Sequence, residues 1–448
     1  MTRLASLLTL LLLLPLPLCA GTRSAPATNQ DNRNAPDDAL RRRVMAILEE
    51  TPLIDGHIDV PWQYRRRANL HIDQIDFHDT TKLDPPMHTD LARLKEGGLG
   101  AAFWSVYVPA PETGGGSAQE VLTTFEQIDF VKRLAAKYPD HLEIALTADD
   151  VVRIHGQGKI ASMMGMEGGH SIGNSLGALR QLYHAGARYM TLTHSKNTRW
   201  ADSANDEPVN DGLSRFGEEV VREMNRLGML VDLSHVSPAT MHDALNITEA
   251  PVIFSHSSAL GRTDNPRNIP DDVLRRLKEN GGVAMVTFFP AYVSNDLTAH
   301  NAREREVLGR LREQYAAPDQ EEQLQEAIRK WREENPAPWP TLAMVADHID
   351  HVRDVAGIDH IGLGSDYDGM PPGPVGLEDV STYPNLFVEL LKRGYSEADL
   401  RKIAGENVLR AMREAEQVAA RLQKERAASD ATLEELDTAG ELMRPAGR

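Results

Sequence analysis

Residues 53–61, LIDGHIDVP, run from a short apolar segment into a histidine flanked by two acids. The apolar part reads as a buried strand. His57 and Asp59 are two apart, so on an extended strand they project to one face while Ile58 packs on the other. Seven further apolar runs follow: GAAFWSVYV (100–108), KIASMMGME (159–167), ARYMTLTH (187–194), GMLVDLSH (228–235), PVIFSH (251–256), GGVAMVTFF (281–289) and HIGLGSD (360–366). Together with the first they number eight, most separated by helix-like segments, which is the strand count of a (β/α)8 barrel. Near-continuous apolar runs suit a parallel sheet covered on both faces. The expected fold class is therefore α/β, a TIM-like barrel.

The intervening segments agree. SRFGEEVVREMNRLG has helical apolar spacing, Ser214 as a cap and Gly228 as a stop, and SPATMHDAL begins with Ser237 and then proline at the first helical position. Residues 294–340 break the rhythm with a highly charged helical stretch, read as a solvated insertion before the last strand. The expected organisation is a signal peptide at 1–20, a flexible leader at 21–40, the barrel at 41–415 and a charged helix and tail at 416–448. The signal peptide rests on Arg3, a leucine-rich run broken by Pro15 and Pro17, and small residues near Ala20. Export follows, to the periplasm or outside the cell. The single cysteine, Cys19, rules out disulfides within the chain and ties it to a membrane only if lipidated.

The chain has 448 residues, 41% hydrophobic and 25% charged, as in a globular protein. Its formal net charge of -18 leaves no basic excess to neutralise phosphates, which argues against nucleic acid as a partner.

The polar residues fall in a pattern. His57, Glu167, His194, His235, His256 and Asp366 each close an apolar run. In a barrel, the carboxyl ends of the strands converge on the face that carries active sites. Any one of the 16 histidines alone reads more simply as a hydrogen-bonded structural residue. Their joint placement points to metal. Glu167 in GMEGGH has two oxygens and can bridge two ions, and mixed nitrogen and oxygen ligation suits zinc best, with manganese or cobalt as other fits. Asp366 in GSDYDG, with Asp368 as its competitor, has the chemistry to pass a proton from water to a leaving amine. Arg262 and Arg267 are candidates for gripping a substrate carboxylate.

These residues sit in stretches, IDGHIDVPWQ, FWSVY, EGGHSI, PVIFSHSSA, RNIPDDVL, GSDYDG and GLEDVSTYPNL, by which the chain resembles the membrane (renal) dipeptidase family from about residue 41 to 413. That family comprises dinuclear zinc peptidases on an amidohydrolase-type barrel. The resemblance implies a bacterial-type secreted member with two Zn2+ per chain. His57 and Asp59 would bind one ion, Glu167 would bridge, and His235 and His256 would bind the other. It further implies that His194 steadies the oxyanion, Asp366 handles protons, Arg267 rather than Arg262 holds the substrate's terminal carboxylate, and Tyr292 lines the substrate. The expected activity is hydrolysis of dipeptides by a hydroxide shared between the metals, in a homodimer. The alternatives are the same chemistry on a β-lactam, a lactone or a phosphoester, and a non-catalytic exported binding protein that kept the fold.

Overall fold

The structure, a computed structural model, describes residues 35–111 and 114–438. The expected signal peptide and Cys19 lie outside the described residues. The strands are β1 (Leu53–Ile58), β2 (Leu99–Ser105), β3 (Leu142–Ile144), β4 (Ile160–Glu167), β5 (Ala187–Thr191), β6 (Leu230–Asp232), β7 (Ile253–Phe254), β8 (Val283–Val286) and β9 (Ile361–Leu363). All pair in parallel, in the order β2-β1-β9-β8-β7-β6-β5-β4-β3. A further pairing of β2 with β4 closes eight of them into a cylinder. The expected (β/α)8 barrel is therefore the architecture.

One strand has no counterpart in the sequence reading. β3 lies along the first half of β4, from Leu142 opposite Ile160 to Ile144 opposite Ser162, on the edge that β5 takes up only from Met164. Three residues, of which only Leu142 is buried, are too few to show an alternating pattern.

Alternation builds the core. Along β2, Ala101 and Phe103 turn into the barrel with Ile54, Met163, Tyr189 and Met285, while Ala102 and Trp104 face outward into the layer packed with helices. Val408, Ala411 and Met412 of the helix Asn407–Glu425 join the inner cluster. Gly405, just before that helix, approaches so close to Pro52 that an added Cβ would lie 2.2 Å from the Pro52 carbonyl oxygen. This plugs the barrel at the amino ends of its strands and leaves the opposite end for chemistry.

The expected helices form with their expected caps. Ser214 accepts from the Gly217 amide at the start of Arg215–Leu227, and Gly228 ends it in the left-handed region at φ 83°. Ser237 likewise accepts from Thr240 ahead of Pro238–Ile247. The stretch 294–340 contains the helices Asn295–Gln314 and Glu321–Glu334, between β8 and β9.

Two boundaries differ from expectation. Residues 35–40, read as leader, belong to the helix Ala35–Glu50. Residues 426–438, read as part of a charged tail, fold back: the Asp437 carboxylate accepts from the Ser214 hydroxyl (2.8 Å) and the Phe216 amide (3.1 Å), satisfying the foot of the helix Arg215–Leu227. A lone acid in a charged tail gives no sequence signal of that partner.

Candidate metal centre

The strands stop short of the runs from which they were read. His57 and Glu167 lie in strands, but Asp59 follows β1 by one residue, His256 follows β7 by two, and His194, His235 and Asp366 follow β5, β6 and β9 by three. Asp59 accordingly has φ -93° and ψ 28° and starts the helix Val60–Ala68, so it is not the extended partner of His57 that the two-residue spacing suggests. It reaches the same place from a turn: its Oδ2 is 3.3 Å from His57 Nε2, while Ile58 is fully buried in the outer core. Leaving the pleat frees these side chains to aim inward. The cost appears as left-handed backbone at His235 (φ 68°), Asp366 (φ 71°) and Asp368 (φ 68°), where a non-glycine residue is strained.

The predicted residues meet. Glu167 sits at the centre: its Oε1 is 3.0 Å from His235 Nε2, 3.5 Å from His256 Nε2 and 3.7 Å from His194 Nε2, and its Oε2 is 3.5 Å from His57 Nε2. Three overlapping sets have ligand atoms within 4.8 Å of one another: His57, Glu167 and His256; Glu167, His194 and His235; and His57, Asp59 and Asp366. Glu167 belongs to two of them, as a bridging carboxylate requires. These sets cut across the division implied by resemblance, since His194 and Asp366 stand at ligand distance and His256 groups with His57. Arg267 and Tyr292 line the adjoining cavity of about 320 Å³, whereas Arg262 pairs with Asp347 on the outside.

Outer hydrogen bonds decide which nitrogen faces in. Tyr189 donates its one proton to the Gly56 carbonyl (3.1 Å), so its oxygen can only accept from His57 Nδ1 (2.8 Å), which leaves the lone pair on Nε2. Ser255 donates to Asp232 (2.7 Å) and by the same logic accepts from His256 Nδ1 (2.8 Å). Asp232 is itself held by Thr191 and by the Ser234 and Ser255 amides. This is the supporting layer that orients metal-binding imidazoles. His235 differs, because its Nδ1 has no partner among the described residues. Its position is fixed instead through its carbonyl, which accepts from the Ala204 amide (2.7 Å), Thr193 (3.2 Å) and Ser203 (3.3 Å).

The electrostatics fit a cation. Burial lowers the pKa of His235 and of His256 well below the free imidazole value, with Arg267 adding to it at His235 and His57 at His256, so both offer lone pairs. Burial opposes a charge on Glu167, yet His57, His194 and His235 hold its carboxyl well below the usual range. Burial also opposes a charge on His57, but Tyr189, Glu167 and Asp59 outweigh it and raise its pKa. A field that would keep a proton there would equally hold a metal ion. Among the described residues His57 Nε2 is buried with no well-formed hydrogen bond, facing Asp59 and Glu167 at 3.3 and 3.5 Å, and two imidazole nitrogens, His235 Nε2 and His256 Nε2, approach to 2.8 Å. Neutral nitrogens and carboxylate oxygens converging without enough protons to share match the donor chemistry of a divalent metal.

The sequence reading missed Trp62, Tyr107 and Phe289, which wall the cavity, and Asp55, which accepts from the His57 and Ser365 amides and the Tyr383 hydroxyl. WQ after HIDVP and the tyrosine of FWSVY were visible, but nothing in their spacing says that Trp62 meets Tyr107 edge-on at 4.9 Å or that Tyr107 lies 4.9 Å from the His194 ring. Gly369 is a further hidden requirement. A Cβ there would fall 2.2 Å from Asp59 Oδ2 and 2.6 Å from Asp366 Oδ1. Gly369→Ala is expected to displace both carboxylates, lowering kcat/KM by at least roughly tenfold, about 1.4 kcal/mol. Competition with a chelator should show weaker metal retention, and thermal unfolding should show Tm little changed.

The family model described as membrane dipeptidase, peptidase family M19, matches residues 41–426. Dipeptidase verJ of Clonostachys rogersoniana is 41% identical over 396 residues, 87% of this chain and 90% of that protein. Dipeptidase tcpJ of Claviceps purpurea (strain 20.1) is 44% identical over 372 residues, 82% of this chain and 77% of that protein. Both are fungal, so the expectation of a bacterial-type chain draws no support from them. Among solved structures, the probable dipeptidase PvdM from Pseudomonas aeruginosa superposes with a TM-score of 0.71 at 26% identity, covering 85% of this chain and 100% of its own. A metallo peptidase from Rhodobacter sphaeroides, liganded with a phosphinate mimic of the dipeptide L-Ala-D-Ala, shares the fold with a TM-score of 0.65 at 24% identity, covering 82% and 99%.

Proposed function

Because the chain belongs to the membrane dipeptidase family, peptidase family M19, and is therefore a metallo-dipeptidase that hydrolyses peptide bonds, we propose that it works with two zinc ions and recognises its substrate by the terminal carboxylate. His57, Asp59, Glu167, His235 and His256 would hold the ions, with Glu167 shared. When bound, they supply Lewis acidity and bring the pKa of water toward neutrality.

The remaining roles fall to the chain's own groups. Burial and the neighbouring Asp59 carboxylate raise the pKa of Asp366, so its protonated form is accessible and it can deliver a proton to the departing amine. His194, half-buried beside Glu167, is positioned to donate to the carbonyl oxygen as charge develops there. Tyr107 packs against its ring and shields it from water.

The observation that carries substrate recognition is Arg267. It is 2% exposed, and its guanidinium makes two long bonds, to Ser257 Oγ and the His256 carbonyl, both 3.3 Å, and lies beside the Tyr292 hydroxyl, with no carboxylate paired to it among the described residues. Among the described residues its Nε is buried without a partner, and its charge lies 5.3 Å from the Tyr292 ring centre rather than against an acid. A buried cation without a carboxylate is costly, and the free carboxylate of a dipeptide would complete it. Longer peptides have no carboxylate at that distance. Arg267→Ala is expected to lower kcat/KM for dipeptides by about 10²-fold, roughly 3 kcal/mol, and to affect dipeptide amides far less. Equal losses on both would remove the clamp. Export is part of the same proposal, supported by the apolar amino-terminal run, as is a homodimer, supported by the family resemblance. No helix among the described residues is long and apolar enough to cross a membrane.

A further inference from the structure

The run Arg65-Arg66-Arg67 sends its three cations three ways. Arg65 pairs with Glu126 (2.8 Å), and Arg67 donates to Gln63 (2.8 Å) and the Pro85 carbonyl (2.7 Å). Arg66 is exposed and lines the catalytic cavity. Among the described residues no hydrogen bond or ion pair engages it, although the chain carries 66 acids against 48 basic residues. The other acids and bases of the cavity wall are buried or half-buried, so among the described residues Arg66 is the exposed, unpaired charge at its rim.

Its location relative to Arg267 gives it a direction. Arg267 follows β7 and Arg66 lies in the helix after β1, and the strand order separates them by β8 and β9. Asp366, which follows β9, stands between. A dipeptide with its carboxylate on Arg267 and its scissile bond at Asp366 therefore extends its amino-terminal residue toward the β1 side, where Trp62 and Arg66 wait. We infer that Arg66 selects dipeptides whose amino-terminal residue carries a side-chain carboxylate, that is, aspartyl or glutamyl dipeptides. The inference rests on the dipeptidase reading and on the Arg267 clamp.

The test uses the zinc-loaded full chain and four substrates, Glu-Ala, Gln-Ala, Ala-Glu and Ala-Gln. Wild type is expected to favour Glu-Ala over Gln-Ala by about three- to fivefold in kcat/KM, the upper scale of one ion pair at an exposed site. That ratio should shrink at high salt. In Arg66→Gln it should fall to near one, and in Arg66→Lys it should be partly restored, while the Ala-Glu to Ala-Gln ratio moves less than about twofold. A wild-type ratio near one, an unchanged ratio in Arg66→Gln, or a shift confined to the Ala-Glu pair overturns the assignment while leaving the dipeptidase intact. Failure of wild type to cleave any of the four would overturn the dipeptidase reading, and this inference with it.

Discussion

Glu167→Gln is expected to cut the two zinc ions proposed per chain to below one and to lower kcat/KM by more than roughly 10³-fold, above about 4 kcal/mol. The reason is geometric. Among the described residues Glu167 is the one carboxylate within 3.0–3.7 Å of four imidazole nitrogens, those of His57, His194, His235 and His256. Glutamine keeps the shape but offers a single neutral oxygen where two carboxylate oxygens shared a charge, and its amide protons would point at nitrogens that are themselves proposed as ligands. The measurement is elemental analysis of the dialysed protein beside its kinetics. Retention of two ions with full activity would mean that the cluster does not depend on a shared carboxylate.

Asp366→Asn should behave differently. Its kcat should fall by about 10²–10⁴-fold, the usual contribution of a positioned proton donor or acceptor, with KM and zinc content close to wild type. The distinction matters because Asp366 also stands within ligand distance of His57 and Asp59. If one ion is lost together with the activity, Asp366 is a ligand and the proton must travel by another group. If turnover stays near wild type, the proton role is wrong. Because the residue is held at φ 71°, the asparagine variant is also the conservative one, asparagine being among the side chains that tolerate this backbone region best.

The barrel was legible because its strands are buried on both faces and so read as unbroken apolar runs. The cluster was legible because six of those runs finish in a group able to bind a metal or carry a proton. The true strands are shorter, down to Ile253–Phe254 for β7, and the residues between strand and ligand were counted as strand because they too are buried. What sequence could not supply is whatever depends on a neighbour across the barrel. Tyr189 looks like one more apolar strand residue until its hydroxyl is found on His57, 132 positions away. Thr191, Ser255 and Asp232 become one hydrogen-bonded unit only after β5, β6 and β7 lie side by side. Arg267 could be singled out from Arg262 by resemblance, but its unpaired burial is a property of the folded cavity alone.

β1 and β9 are adjacent staves of the cylinder, with Asp55 opposite Leu363, yet some three hundred positions of chain separate them. During translation, His57 and Asp59 emerge long before their companion Asp366 exists. The five groups proposed to hold the ions are all made by residue 256, but the stave that joins β8 to β1 comes about a hundred residues later, so the nest is fully enclosed only on ring closure by a late-synthesised segment. Metal supply matters in whichever compartment the finished chain folds, not where its synthesis begins.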